Sequence, residues 1–307
     1  MRITLIYNPD AGSRARPGDE EILKLIRGAG HSAFCQSSKE PHWESALEIP
    51  ADLIAVLGGD GIVGNVAKRI IGKHTPVAVL PAGTANNIAK TLGLARHPLD
   101  RLIAGWADGR RMKFDAGAVS GRWGSTCFIE ALGIGLFTDT MSWLNARNNI
   151  DLAHHDATEK KLTSVWEMMS ERLESYRAYP LKIRLDNQNF SGEYVLLEAM
   201  NIRYVGPNLC LAPGADSGDG LLDIVLVSDN ERSQLKQFLA DHIVGKSNPV
   251  RLPVRKGQHL RIESDCLPIH IDDDLKVTGS LLVSHFSSVI DVTLAPGAVE
   301  MLAPKLK

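Results

Sequence analysis

The sequence predicts an α/β domain followed by a β-rich domain, and three features of the chain carry that prediction. Over roughly the first 115 residues, short strands that are apolar throughout alternate with helical patterns, the mark of a parallel sheet covered on both faces. Three of those strands end in turns of glycine, proline and small polar residues. After about Asp115 the texture changes to a run of strands around one long amphipathic helix, as a separate β-rich domain would read. The length of 307 residues, about twice that of a usual domain, fits this division. The expected boundaries are 1–115 for the first domain and 116–294 for the second, with the C-terminal segment, about 295–307, able to return to the first.

Ile3–Tyr7 is a β-branched and apolar run closed by Asn8-Pro9-Asp10-Ala11-Gly12, a buried strand entering a turn. Residues 18–29 place Ile22, Leu25 and Ile26 on one helical face behind an acidic first turn. Leu53–Leu57 is another continuous apolar strand; it runs into Gly58-Gly59-Asp60-Gly61, and residues 62–71 resume helical spacing. Val77–Leu80 is broken by Pro81-Ala82-Gly83-Thr84 and followed by a helix from about Asn86 to Leu92. In the second half, residues 116–133, 180–200, 222–227, 259–263, 267–272 and 289–294 read as strands. The helix at about 156–176 carries Leu162, Val165, Trp166, Met169 and Leu173, a stripe that suits a core-facing helix better than a membrane anchor. Phe137, Met141, Trp143 and Leu144 read as core packing rather than as an apolar wall or flap beside a cleft. His154 and His155 have no spaced metal-binding partner and read as a polar linker.

An apolar fraction of 44% and a charged fraction of 23% are those of an ordinary globular chain. The net charge of −2 gives no global field for nucleic acid, so no nucleic-acid partner is expected and an anionic ligand must be held by local geometry. Cys35, Cys127, Cys210 and Cys266 form no C-x-x-C pair, which argues against a zinc site and a disulfide framework and fits a reducing cytoplasm. The N-terminal apolar run is too short for a signal peptide, and no stretch reaches the length of a membrane span.

In a parallel α/β sheet, ligands bind at the carboxyl ends of the strands, where Asn8–Gly12, Gly58–Gly61 and Pro81–Asn87 fall. Glycines there let successive N–H groups approach one anion, and a helix starting directly after the turn adds its partial positive charge. Phosphate is the anion such turns suit. Neither G-x-x-x-x-G-K-[ST] nor G-x-G-x-x-G occurs, which excludes the usual P-loop and dinucleotide fingerprints. Asp60 would repel a phosphate unless a cation bridged the two, so it points to a magnesium–nucleotide complex and phosphoryl transfer.

These motifs, in this order, resemble the diacylglycerol kinase and sphingosine kinase superfamily. The resemblance continues through Glu130-Ala131-Leu132-Gly133-Ile134-Gly135, Asn201-Ile202-Arg203-Tyr204-Val205-Gly206, Leu211–Asp216 and Asp219–Asp223, so it covers essentially the whole chain. It looks most like the bacterial single-chain lipid kinases. The resemblance implies an N-terminal domain like that of NAD kinases and phosphofructokinase, a C-terminal β-sandwich, and ATP in the cleft between them. By position, Gly58, Gly59, Asp60 and Gly61 would line the triphosphate, while Thr84 and Asn86 would contact phosphates or ribose. Ser37 or Ser38 would approach the nucleotide, and Asn8, Gly12 and Gly83 belong to the same set of turns. A structural magnesium of the family matches Asp216, Asp219 and the Leu221 carbonyl, oxygen donors that suit a hard cation. The family's Asp-Gly-Glu catalytic loop falls on Asp272, Asp273 and Asp274. Two carboxylates two apart on an extended segment share a face, and either Asp272 or Asp274 could accept the proton of an attacking hydroxyl. The implied reaction is transfer of the γ-phosphoryl group of ATP to a hydroxyl of a lipid such as diacylglycerol. The enzyme would be cytoplasmic, visiting the membrane surface peripherally and transiently; a homodimer is left open.

Three positions depart from the family pattern. Ile62-Val63-Gly64-Asn65 stands where Thr, an apolar residue, Asn and Glu are usual; Asn87 stands where Asp is usual; and Asp273-Asp274 replace Gly-Glu. The shorter Asp274 and the lost glycine bear on activity, since small displacements matter in phosphoryl transfer. Two other readings are an NAD kinase-like enzyme acting on a soluble acceptor and a nucleotide-binding regulator with degenerate catalysis.

Overall fold

The structure, a computed structural model, describes residues 1–12, 18–147, 158–246, 248–265, 267–277 and 288–306. The chain divides into two units: Met1–Ala116 with Ser217–Asp219 and Pro296–Lys307, and Gly117–Asp216 with Gly220–Ala295.

The first unit contains β1 (Arg2–Tyr7), α1 (Asp19–Gly28), β2 (Ser32–Ser37), β3 (Leu53–Gly58), α2 (Asp60–Arg69), β4 (Val77–Pro81), α3 (Asn87–Thr91) and α4 (Leu99–Ala104). β2, β1, β3 and β4 lie side by side and all pair in parallel. Every residue of β3 is buried, as expected of a strand covered on both faces. α1 docks through Ile22 and Ile26, two of the apolar positions its spacing predicts. The end of the chain returns here: Met301 pairs in parallel with Val77 of β4. Asp115 is fully buried; its N–H donates to Ser217 O at 2.6 Å and its Oδ1 accepts the Gly297 N–H at 2.6 Å. One residue, through its backbone and its side chain, thus gathers three separate passes of the chain.

On β2, burial pushes the Cys35 thiol up to about 11, with the carboxylates of Asp19 and Glu40 adding to the effect. The thiolate is the reactive form, so at pH 8 iodoacetamide should alkylate folded Cys35 on the order of 10²-fold more slowly than the unfolded chain. Peptide mass spectrometry reads the two rates, and equal rates would contradict the burial of this thiol.

The second unit begins within β5 (Arg110–Gly121) and continues through β6 (Gly124–Phe128), β7 (Ala131–Gly135), α5 (Leu136–Arg147), α6 (Thr158–Glu174) and β8 (Tyr179–Leu185). Then come β9 (Gln188–Asn189), β10 (Gly192–Met200), β11 (Leu222–Ser228), α7 (Arg232–Ile243), β12 (Val254–Gly257), β13 (His259–Ser264), β14 (Pro268–Ile271), β15 (Asp274–Val277) and β16 (Ser288–Ala303). One antiparallel sheet has the order β15-β14-β7-β10-β11-β12. A second is built on β8-β13-β16, with β9 beside β8 and the hairpin β5-β6. Leu132, Ile134, Leu197 and Ala199 of the first sheet share a core with Ile183, Leu185, Leu260, Ile262 and Ile290 of the second, which makes a sandwich. The outer face of the first sheet is buried as well. Val195, Met200, Val225 and Val227 lie under Phe137 of α5, Val165, Met169 and Leu173 of α6, and Leu235, Phe238 and Leu239 of α7.

The α6 stripe is therefore core-facing, and Phe137, Met141 and Leu144 pack in the same cluster. The predicted strand 116–133 is broken into parts of β5, β6 and β7, because Arg122-Trp123 and Ile129-Glu130 turn the chain. β16 extends well past the predicted 289–294, running through Gly297 at φ 59°. His154, His155 and Cys266 lie outside the described residues. Among the described residues no helix is long and apolar enough to cross a membrane, which says nothing of a β-barrel.

Candidate active site

Parallel register places the carboxyl ends of β1 to β4 along one edge of the first sheet: Tyr7 lies opposite Ser37 and Leu57, and Gly58 lies opposite Pro81. The predicted turns all leave from this edge and are laced together by backbone bonds. Asn8 N–H donates to Leu57 O at 3.0 Å, Ser38 N–H to Tyr7 O at 2.8 Å, and Ala82 N–H to Gly58 O at 2.9 Å. Ser37 is buried and accepts the Lys39 N–H at 3.3 Å, whereas Ser38 is half-buried. The Asn8 side chain accepts the Asp10 N–H at 3.0 Å, and Gly12 closes the turn at φ 76°.

The glycines of the second and third turns serve a contact within the protein. A Cβ on Gly83 would stand 2.3 Å from Gly59 Cα and 3.0 Å from Gly59 N, both backbone atoms that cannot swing away. Gly83→Ala should therefore separate the two turns and destabilise the protein by about 1–3 kcal/mol, the usual range for overpacking. Urea denaturation measures this, and an unchanged midpoint would contradict the contact. The third turn is locked from within: the Asn86 amide accepts the Gly83 N–H at 2.9 Å and donates to Gly83 O at 2.8 Å, with Asn86 itself at φ 54°. Thr84 projects from this turn and is exposed.

Asp60 has a use that its position in sequence does not reveal. Its two carboxylate oxygens accept the N–H groups of Asn87 and Ile88, each at 2.9 Å, so it caps α3 from the start of α2. Burial pushes its pKa up; the two N–H groups and the Lys90 ammonium oppose that shift. The carboxylate thus has partners other than a bridging cation. α2 itself has Gly59 at its N-cap with no side-chain cap hydrogen bond, and the one acidic residue of its first turn is Asp60, whose carboxylate also takes its own N–H. The residues that depart from the family pattern lie around the same turns and on α2. Ile62 is buried, with its Cγ2 2.3 Å from where a Gly58 Cβ would stand, and Asn87 is buried with its backbone N–H donated to Asp60. Asn65 is exposed, and its carbonyl and side-chain oxygens accept from Arg69 at 3.2 and 3.3 Å.

In the second unit, Asp272 and Asp274 do not share an extended segment, which corrects the premise that they line one face. Ile271 pairs with Asp274, so Asp272 and Asp273 form the turn of the β14-β15 hairpin. The left-handed position is Asp272, at φ 53°, rather than the position where the family carries glycine. Asp272 accepts the N–H groups of Ile129 at 3.0 Å, Glu130 at 2.8 Å and Ala131 at 3.3 Å, and its own N–H donates to Ala131 O at 2.8 Å. Asn201 completes this corner by donating its side-chain N–H to Ile129 O and its backbone N–H to Glu130 O, both at 2.9 Å. Asp274 is exposed, with Lys276 at 4.0 Å. The two candidate carboxylates thus have different surroundings: one is clamped and the other faces solvent.

Asp216 and Asp219 are exposed and Leu221 is half-buried. Their carboxylate and carbonyl oxygens are of the chemical type magnesium takes. Among the described residues no cluster of three or more His, Cys, Asp or Glu is arranged to hold a metal ion.

Glu198 and His270, both fully buried and 2.8 Å apart, are given no role by the sequence, nor is Asp115, while Asn201 stands out there only as part of a family motif. A signal was present: a glutamate inside the apolar run Tyr194–Met200 and a histidine between Ile269 and Ile271 each demand a partner.

Residues 2–119 match the diacylglycerol kinase catalytic domain, and residues 142–303 match the YegS C-terminal NAD kinase beta sandwich-like domain. The chain belongs to the diacylglycerol kinase-like family of lipid kinases that joins these two domains. It is 24% identical over 329 residues to a diacylglycerol kinase of Mycobacterium tuberculosis, covering 99% of this chain and 96% of that one. A Bacillus subtilis diacylglycerol kinase is 24% identical over 291 residues, covering 86% and 89% of the two chains. A solved diacylglycerol kinase structure from Bacillus anthracis shares the fold with a TM-score of 0.67 at 20% identity, covering 98% of this chain and 96% of that one.

Proposed function

We propose that the protein transfers the γ-phosphoryl group of ATP to a hydroxyl of a lipid such as diacylglycerol. The observation that carries this reading is the start of α2, which has no side-chain cap at Gly59 and whose Asp60 carboxylate directs its oxygens to the N–H groups of Asn87 and Ile88 in α3. That arrangement suits an anionic phosphate chain. Gly58, Gly59 and Gly61 bring backbone close to the phosphates, and the exposed Thr84 hydroxyl is the side chain of the third turn available to them. Ser38, less buried than Ser37, is the better candidate for a nucleotide contact after β2.

For the acceptor, Asp274 is the carboxylate we assign as general base. Its oxygens face solvent, whereas those of Asp272 already receive three backbone N–H groups. Magnesium, when bound, neutralises charge on the nucleotide phosphates; Asp216, Asp219 and the Leu221 carbonyl are the donors we assign to a structural magnesium. Binding at the membrane surface would be peripheral and transient.

The test is incubation with labelled ATP, magnesium and a panel of diacylglycerol, sphingosine, ceramide, undecaprenol and NAD. Label in a lipid supports the proposal and names the acceptor. Label in NAD alone selects an NAD kinase-like enzyme, and ATP binding without any transfer selects a nucleotide-binding regulator.

A further inference from the structure

Glu198 of β10, Gly133 of β7 and His270 of β14 stand in one row across three neighbouring strands, since Glu198 and His270 both pair with Gly133. All three face the helix-covered side of the sheet, because the residues flanking them, Leu132, Ile134, Leu197, Ala199, Ile269 and Ile271, point into the sandwich core. Side chains two strands apart ordinarily do not meet. Here the absence of a side chain at Gly133 opens the path; a Cβ there would lie 2.2 Å from the Glu198 carboxylate. Glu198 Oε2 consequently reaches His270 Nε2 at 2.8 Å, with both residues fully buried.

The other ring nitrogen, Nδ1, lies 3.0 Å from the Asp272 carbonyl oxygen. A carbonyl only accepts, so Nδ1 carries a proton and the ring is held at both ends. Every backbone polar group of Asp272 is then engaged: the N–H by Ala131 O and the carbonyl by His270. Its carboxylate is held by the Ile129–Ala131 amides. A left-handed aspartate is an unfavourable conformation that persists where surrounding contacts over-determine it.

We propose that Glu198 and His270 are positioning residues, whose bridge over Gly133 fixes the Asp272 turn from which Asp274 is presented. The charged groups facing the ring are Glu198 from β10 and Asp272 from its own hairpin; β7 presents Gly133, and α5 presents the edge-on Phe137 ring at 5.0 Å. Burial disfavours the charged imidazole, yet the Glu198 carboxylate, with the bonds to Glu198 and the Asp272 carbonyl, holds its pKa above the ordinary histidine value. Glu198 Oε1 has no hydrogen-bond partner among the described residues, so the His270 bond is the contact that compensates its burial.

The inference rests on the lipid kinase reading only for the task of Asp274. Its test compares wild type with Glu198→Leu, which removes the acceptor at similar volume, and Glu198→Gln, which keeps an acceptor for Nε2–H. Amide exchange by NMR at Ile129, Glu130 and Ala131 reads the turn, and lipid phosphorylation reads its use. Glu198→Leu is expected to lose amide protection and about 10²-fold in kcat, with the KM for ATP changed less than about twofold. Glu198→Gln is expected to restore most of both, leaving a smaller loss of protection and kcat at an unchanged KM; should Glu198→Leu not fold, that smaller loss in Glu198→Gln supports the bridge and its absence overturns it. Unchanged protection and kcat in both variants overturns the bridge and leaves the kinase reading standing. Protection lost on breaking the bridge, in a wild-type protein that phosphorylates no lipid, upholds the fixed turn and overturns the kinase reading.

Discussion

Asp60→Ala is expected to abolish phosphoryl transfer and to destabilise the first unit by about 2–3 kcal/mol. The second figure follows from the capping role. Asn87 and Ile88 each donate an N–H to this carboxylate at 2.9 Å, and both residues are buried, so water cannot replace the lost acceptor. Losing a helix cap costs about 1 kcal/mol and stranding a buried donor about 1–3 kcal/mol, so two such donors set the expected range. The loss of transfer follows because the third turn, with Thr84 and Gly83, would no longer be held beside Gly59. Asp60→Asn keeps one acceptor oxygen and should recover part of the stability. Chemical denaturation with labelled-ATP turnover measures both effects; an Asp60→Ala protein as stable as wild type would show that the cap is not formed in solution.

Asp272 and Asp274 are expected to separate cleanly. Asp272→Ala removes the acceptor of three backbone N–H groups at the Ile129–Ala131 corner and should cost about 3 kcal/mol, with activity lost alongside stability. Asp274→Ala touches an exposed side chain whose ion pair with Lys276 spans 4.0 Å, so stability should change by less than about 0.5 kcal/mol. If Asp274 is the base, kcat should nonetheless fall by about 10²–10⁴-fold, the usual contribution of general base catalysis. Thermal melts paired with steady-state rates distinguish the two variants. Full activity in Asp274→Ala would return the base assignment to Asp272.

These effects mark where sequence reasoning succeeded and where it stopped. The strands β3 and β4 were legible because each is an uninterrupted apolar run ending in glycine or proline, and β1 because its β-branched and apolar residues run into Asn8-Pro9; their alternation with helices implied parallel pairing. The turns could be placed at the carboxyl edge for the same reason. What Asp60 touches was not legible, since its partners lie 27 and 28 residues away and no local pattern connects them. The hairpin at Asp272 was hidden because three consecutive aspartates give no glycine to mark the left-handed position. The Glu198–His270 bridge joins residues 72 apart across a third strand, so only the register of β7, β10 and β14 reveals it. Two polar residues inside apolar strands were the visible trace.

The most direct test of the central claim is the initial rate at which wild-type protein moves label from γ-labelled ATP into diacylglycerol vesicles, with Asp274→Ala run beside it under the same conditions. Label recovered as phosphorylated diacylglycerol, and reduced at least about 10²-fold in the variant, is the predicted result. No label in any lipid from a protein that binds ATP and melts cooperatively would contradict it.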